Sequence, residues 1–181
     1  MYMRICFCGR IKTAWYNEKI YQGTLGRKDM RVLLVGNTGY ITKEFVQEAF
    51  PESEVFIMGN SLLKTERKKH LIVRPFPEQD EELEDIFHTY DFELMVYFSN
   101  YITFHGTMEG EAEKLRKVLS YCKRSKEIHV IYLTGPEAGY AATTGKTLLV
   151  RGAENLCCQY GKNVPDSGQN RKNSVSVFRS L

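Results

Sequence analysis

Two glycine-bearing stretches in this chain hold residue types from which chemistry can be built. The first is VGNTGYIT, Val35 to Thr42. It follows an apolar run and precedes a helical pattern. A diphosphate needs three things from such a turn: a tight bend, close backbone approach, and amides at a helix start. Gly36 and Gly39 supply the first two. Asn37 and Thr38 add side-chain donors, and the amides around Tyr40, Ile41 and Thr42 lie where the helix should open. In a G-x-x-G-x-x-G pattern Thr42 takes the third glycine position, where a β-branched side chain loosens helix–strand packing. The same spacing also suits a plain strand-to-helix turn that uses glycine only for geometry.

The second stretch is LTGPEAGYAATTGKTLLV, Leu133 to Val150. Gly145, Lys146 and Thr147 fit the end of the G-x-x-x-x-G-K-[ST] phosphate loop. The first glycine of that motif would be residue 140, which is Tyr140, and Gly139 is one position away. No strand ending in a magnesium-ligating Asp follows, so a P-loop nucleotide-binding protein is the alternative reading.

Smaller groups point less far. After MGNSLLKTERKKH begins, Gly59 and Asn60 stand where a binder of NAD usually has an acid for the ribose hydroxyls. Ser61, Lys64 and Arg67 suit a 2′-phosphate instead, or a solvated basic loop. His88 belongs on a charged, solvent-facing helix. His105, with Asn100 and Tyr101, follows a strand at the edge where ligands bind in α/β sheets. The five cysteines, Cys6, Cys8, Cys122, Cys157 and Cys158, form no CxxC pair. A disulfide framework and a zinc site are therefore not expected. Cys122 and Cys157 read as core.

The elements that must position these groups alternate. Apolar strands are expected at 31–35, 54–58, 71–73, 94–98 and 129–133. Helices are expected at 40–50, 81–90, 108–125 and 146–160. The third helix carries the clearest stripe: Ala112, Leu115, Val118, Leu119 and Cys122. Leu83, Ile86 and Phe87 share a face of the second. Strands separated by helices imply parallel crossovers and a doubly wound sheet.

Composition sets the outer limits. A chain of 181 residues, 43% hydrophobic and 26% charged, is one globular domain with a real core. No apolar run reaches the roughly 18 residues of a membrane span, and the first residues lack a secretory h-region. A cytoplasmic protein is expected, with no membrane partner. Net charge is +3, but it sits at the ends. Residues 1–29 carry six basic and two acidic residues, and 163–181 three basic and one acidic. The middle is net acidic, so nucleic acid is not an expected partner.

Residues 30–162 thus read as a Rossmann-like domain of about five strands. Residues 1–29 read as a basic extension, or a translated leader if Met30 is the start. Residues 163–181 read as a poorly ordered polar tail with one strand-like stretch, Val175–Phe178.

From Met30 to Lys162, about three quarters of the chain, the sequence resembles the extended short-chain dehydrogenase/reductases. More narrowly it resembles the NAD-dependent epimerase/dehydratases that act on nucleotide sugars. The residues that carry the resemblance are VLLVGNTGYI, DFELMVYFSNY, VIYLTGPEAGY and GAENLCCQYGK. The resemblance implies NAD or NADP on Gly36, Asn37, Thr38, Gly39, Tyr40 and Ile41. It also implies a catalytic Ser or Thr after the fifth strand, and a Tyr and Lys spaced by four on one helix face.

Aligned on Ala153–Leu156, the Tyr position is Lys146 and the Lys position is Val150; aligned on Tyr140, the Ser position is Pro136. None of the three can do its task. Thr134 and Tyr140 are the remaining polar candidates for catalysis. A member of the family would continue into a sixth strand and a substrate lobe, neither of which is expected after Lys162. The sequence therefore predicts a cofactor-binding domain that is catalytically impaired or a fragment. A non-catalytic scaffold holding a protein partner is a further alternative.

Overall fold

The computed structural model describes residues 3–7, 10–12, 30–39, 41–66, 70–99, 110–124, 128–134 and 175–180, and helical residues 152, 153, 155–157 and 159. The strands are β1 (Met3–Phe7), β2 (Arg10–Lys12), β3 (Arg31–Gly36), β4 (Glu54–Gly59), β5 (Leu71–Arg74), β6 (Leu94–Phe98), β7 (His129–Thr134) and β8 (Val175–Ser180). The helices are α1 (Lys43–Ala49), α2 (Asp80–Thr89) and α3 (Glu111–Arg124).

Among the described residues all eight strands join one sheet in the order β2-β1-β8-β7-β6-β3-β4-β5. The five strands expected from the apolar runs are present and parallel. Their order follows from burial. Val32 to Val35 in β3 and all five residues of β6 are buried, so both strands are covered on both faces. Such strands must lie at the centre. β5 has one buried residue, Leu71, and lies at the edge.

The outer part corrects the sequence reading. A sixth parallel strand does follow: β8 pairs with β7, from Val130↔Val175 to Thr134↔Arg179. Its other side takes β1, antiparallel, and β1 takes β2. The polar segment thus contains a strand where only a weak stretch was expected. The pairing is non-local, and composition carries no trace of it. The fold is Rossmann-like, a doubly wound α/β sheet with an antiparallel extension.

Each face has its own core. One gathers Leu33, Val35, Phe56, Met58, Met95 and Tyr97 under α2 and α3. Leu83, Ile86 and Phe87 of α2 and Leu115, Val118, Leu119 and Cys122 of α3 are buried there, as their spacing predicts. Cys157 is buried in the same cluster. The other face gathers Val32, Leu34, Val55, Ile57, Val96 and Phe98 under Val46 and Phe50. Burial pushes the Cys122 thiol well above the usual range, so it is chemically quiet core. His88 is exposed on α2, as expected.

α1 is shorter than the helix expected at 40–50. Thr42 is extended (φ −97°, ψ 165°), and its hydroxyl accepts from the Phe45 amide at 3.2 Å. It is an N-cap, so the helix starts at Lys43, three residues later than the apolar period suggests. Glu44 in the first turn is held below the usual carboxylate range. The larger cause is a hydrogen bond to its own backbone, and the lesser one is the Thr42 hydroxyl.

At the amino end of β7, burial lowers the His129 imidazole below the usual histidine range. The folded chain then binds this proton more weakly than the unfolded chain. The stability His129 contributes is complete above the ordinary value of about 6.5 and declines as pH falls below it. His129→Gln should flatten the dependence of unfolding free energy on pH between about 7 and 5, relative to the parent. Urea titrations at half-unit pH steps test this. Parallel curves for the two proteins would show that His129 does not titrate with folding.

Candidate functional site

The turn after β3 is built by close backbone approach. Gly36 has φ +97°, and a Cβ there would collide with the Phe98 carbonyl oxygen on β6. That carbonyl instead accepts from the Asn37 amide at 2.7 Å. The Thr38 amide then donates to Gly36 O at 3.0 Å, and Ile41 N donates to Thr38 O at 3.1 Å. The bend is thus closed on itself from Gly36 to Ile41.

Asn60, just past β4, locks the bend from the side. Its Oδ1 accepts from the Thr38 amide at 3.1 Å. Its side chain also packs on Gly39, where an added Cβ would lie 3.1 Å from Nδ2. Gly59 brings β4 equally close: a Cβ would lie 2.5 Å from Thr38 Oγ1 and 2.6 Å from Gly36 O. Thr38 is fully buried, and its hydroxyl has no hydrogen-bond partner among the described residues. It faces Gly59, a protein contact rather than open space.

Beside this turn lies a cavity of about 350 Å³ at the carboxyl ends of β3, β4 and β5. Gly36, Asn37, Asn60, Tyr97, Glu111 and Lys114 line it, and Phe76 forms part of one wall. Lys114 stands over the Phe76 ring, 5.5 Å from its centroid. Glu111, in the first turn of α3, is only 2% exposed. Two larger hollows exist, about 610 and 560 Å³. One is an open groove beside α2, lined by Arg74, Glu78, Glu82 and Asp85. The other lies at the amino edge, near Arg31, Glu54 and His70. Neither touches the glycine turn. In a parallel sheet ligands bind at the carboxyl edge near the switch in strand order, so the smaller cavity is the candidate site.

The structure brings Gly36, Asn37, Thr38, Gly39 and Ile41 into one turn, with Gly36 and Asn37 on the cavity wall. Tyr40, Tyr140, Asn100, Tyr101, His105, Arg67 and the 145–147 stretch lie outside the described residues, as do Pro136, Lys146 and Val150. Thr134 is the last residue of β7, at the same sheet edge. Of the basic-loop candidates, Ser61 is engaged locally, its hydroxyl accepting from Leu63 N at 3.2 Å, and Lys64 is exposed. Sequence reasoning missed Phe76, Tyr97, Glu111 and Lys114. Glu111 did leave a signal: it lies four residues before Leu115, on the apolar stripe of α3, where a carboxylate is out of place.

Among the described residues no helix is long and apolar enough to cross a membrane. No group of three or more His, Cys, Asp or Glu there could hold a metal ion.

No protein-family model matches the chain, and no curated protein matches it by sequence. Several solved structures are similar to it. BdcA in complex with NADPH is 10% identical, with a TM-score of 0.47 over 83% of this chain and 68% of that one. The MycE methyltransferase of the mycinamycin biosynthetic pathway, with Mg and SAH, is 11% identical, with a TM-score of 0.46; the match covers 85% of this chain and 42% of that one. A small COPII coat GTPase SAR1 from Encephalitozoon cuniculi, in complex with GDP, is 14% identical, with a TM-score of 0.40 over 91% of this chain and 75% of that one.

Proposed function

We propose that this chain binds a dinucleotide, NAD or NADP, at the carboxyl edge of its sheet. One observation carries the reading. A closed glycine turn and a 350 Å³ cavity share a wall at the strand ends, with Asn60 joining the two. The Gly36–Ile41 turn would take the pyrophosphate and the cavity one nucleoside half. The fit is selective. The amides of Asn37, Thr38 and Ile41 already donate within the protein. Phosphate contacts would therefore fall to Gly39 and to residues further along the turn. The ribose nearest β4 would meet Asn60, a neutral group, so a 2′-phosphate is not repelled there.

The finer reading is a relative of the nucleotide-sugar epimerase/dehydratases that has lost their proton transfer. Pro136, Lys146 and Val150 stand at the positions of the catalytic hydroxyl, Tyr and Lys. Pro136 has no hydroxyl and Val150 no charge.

Thermal unfolding tests the binding claim. For a Kd near 1 mM, about 10 mM NADP should add roughly 1.4 kcal/mol, a rise of about 3 °C. Asn60→Asp keeps the acceptor for Thr38 N but adds a charge beside the 2′-phosphate. It should abolish the NADP shift and spare that of NAD. A folded parent whose melting temperature is unmoved by both cofactors would refute the reading.

A further inference from the structure

We infer that residues 61–66 form a strap that closes the free edge of β5 against pairing with a second copy of this chain, and that Thr65 is its fastener. Among the described residues β5 is the last strand of the sheet, and one side of its backbone has no neighbouring strand. Such an edge is an open template for another chain. Here the strap fills it. Glu66 and Leu71 exchange both backbone hydrogen bonds, at 2.8 and 3.1 Å, as an isolated antiparallel bridge.

Two residues on, the Thr65 hydroxyl takes the place of a strand. It accepts from Val73 N at 2.9 Å and donates to Val73 O at 3.1 Å. One side chain thereby satisfies both outward groups of the residue that a partner strand would need. The strap is tied at both ends. Asn60 holds its start to the Thr38 amide, and Glu66 holds its end to Lys43 of α1, at 2.6 Å.

The strap departs from a ladder in a useful way. A true ninth strand would bond every second residue of β5 through its backbone. Past the Glu66–Leu71 bridge this one holds β5 by a single hydroxyl, at Val73, so one substitution can free that residue without touching the core. The freed edge would then be the end of β5 around Val73, beyond the Glu66–Leu71 bridge. Two such edges related by a two-fold axis pair antiparallel, the same patch meeting itself.

Amide exchange followed by NMR and sedimentation velocity test this together. In the parent, the Val73 amide should be protected although β5 is an edge strand. Thr65→Val, equal in size, should speed Val73 exchange about tenfold while the β3 amides are unchanged. It should also strengthen self-association at least tenfold. Thr65→Ser, which keeps the hydroxyl, should behave as the parent. Adding Val73→Pro to Thr65→Val removes the donor and should cancel the gained association. A parent Val73 amide that exchanges as freely as an unstructured peptide overturns the inference, and needs no variant to fold. So does a folded Thr65→Val protein that gains no association.

Discussion

Replacing Gly36 by alanine should destabilise the fold by about 3 kcal/mol or more, with a fall in melting temperature near 10 °C. Two costs add. The backbone there sits at φ +97°, which an alanine tolerates at about 1–2 kcal/mol. The new methyl would also collide with the Phe98 carbonyl oxygen, which is fixed by the central strand β6 and bonded to Asn37 N. Neither can move cheaply, because β6 is buried along its whole length. The chain contains its own controls. Gly110 also has positive φ (+79°) but nothing within 4 Å of an added Cβ, so Gly110→Ala should cost only the backbone term. Gly152 is helical with open space beside it, and Gly152→Ala should be neutral or stabilising by up to about 1 kcal/mol. Urea unfolding of the three variants should rank them in that order. A Gly36→Ala protein no less stable than Gly110→Ala would mean that β3 and β6 do not approach as described.

The ease of reading differs between parts of the molecule for physical reasons. Central parallel strands are apolar on both faces, so LLV at 33–35 and LMVYF at 94–98 announce themselves. The stripe on α3 does the same at helical period. Thr42 is a contrary case. As a glycine replacement it predicts loose packing; as an N-cap it defines the helix start. Spacing alone permits both, and only the bond to Phe45 N decides. The site was legible as a turn and not as a cavity. Asn60 acts on Thr38 across 22 residues, and Phe76 meets Lys114 from a different element. Such contacts depend on strand order, which no local pattern encodes. Asn60 was noticed for the charge it lacks. Its part in holding the glycine turn appears only once β3 and β4 lie side by side, in register from Arg31↔Glu54 to Gly36↔Gly59.

Ending the chain after residue 174 should cost about 2–9 kcal/mol, the value of nine cross-strand pairs, five to β7 and four to β1, at roughly 0.2–1 kcal/mol each. The melting temperature should fall by roughly 10 °C. The loss is larger than a terminal strand usually implies because β8 is interior. It joins β7 on one side, Val130↔Val175 to Thr134↔Arg179, and β1 on the other, Met3↔Ser180 to Cys6↔Val177. Its removal leaves β7 as an open edge and cuts β1 and β2 from the sheet. β7 is a poor edge strand: Val130, Ile131 and Tyr132 are buried, with no exposed charge at those positions to deter pairing. Aggregation on warming should therefore accompany the lower stability. The sequence around β8 argues the other way, because residues 163–174 are polar and Val175–Phe178 is brief. A truncated protein with unchanged melting temperature and solubility would favour that polar-tail reading, and the parallel sheet would then end at β7. A large loss would show that a short segment with ordinary strand propensity is held by two distant neighbours, and that the parallel sheet extends past β7 to β8.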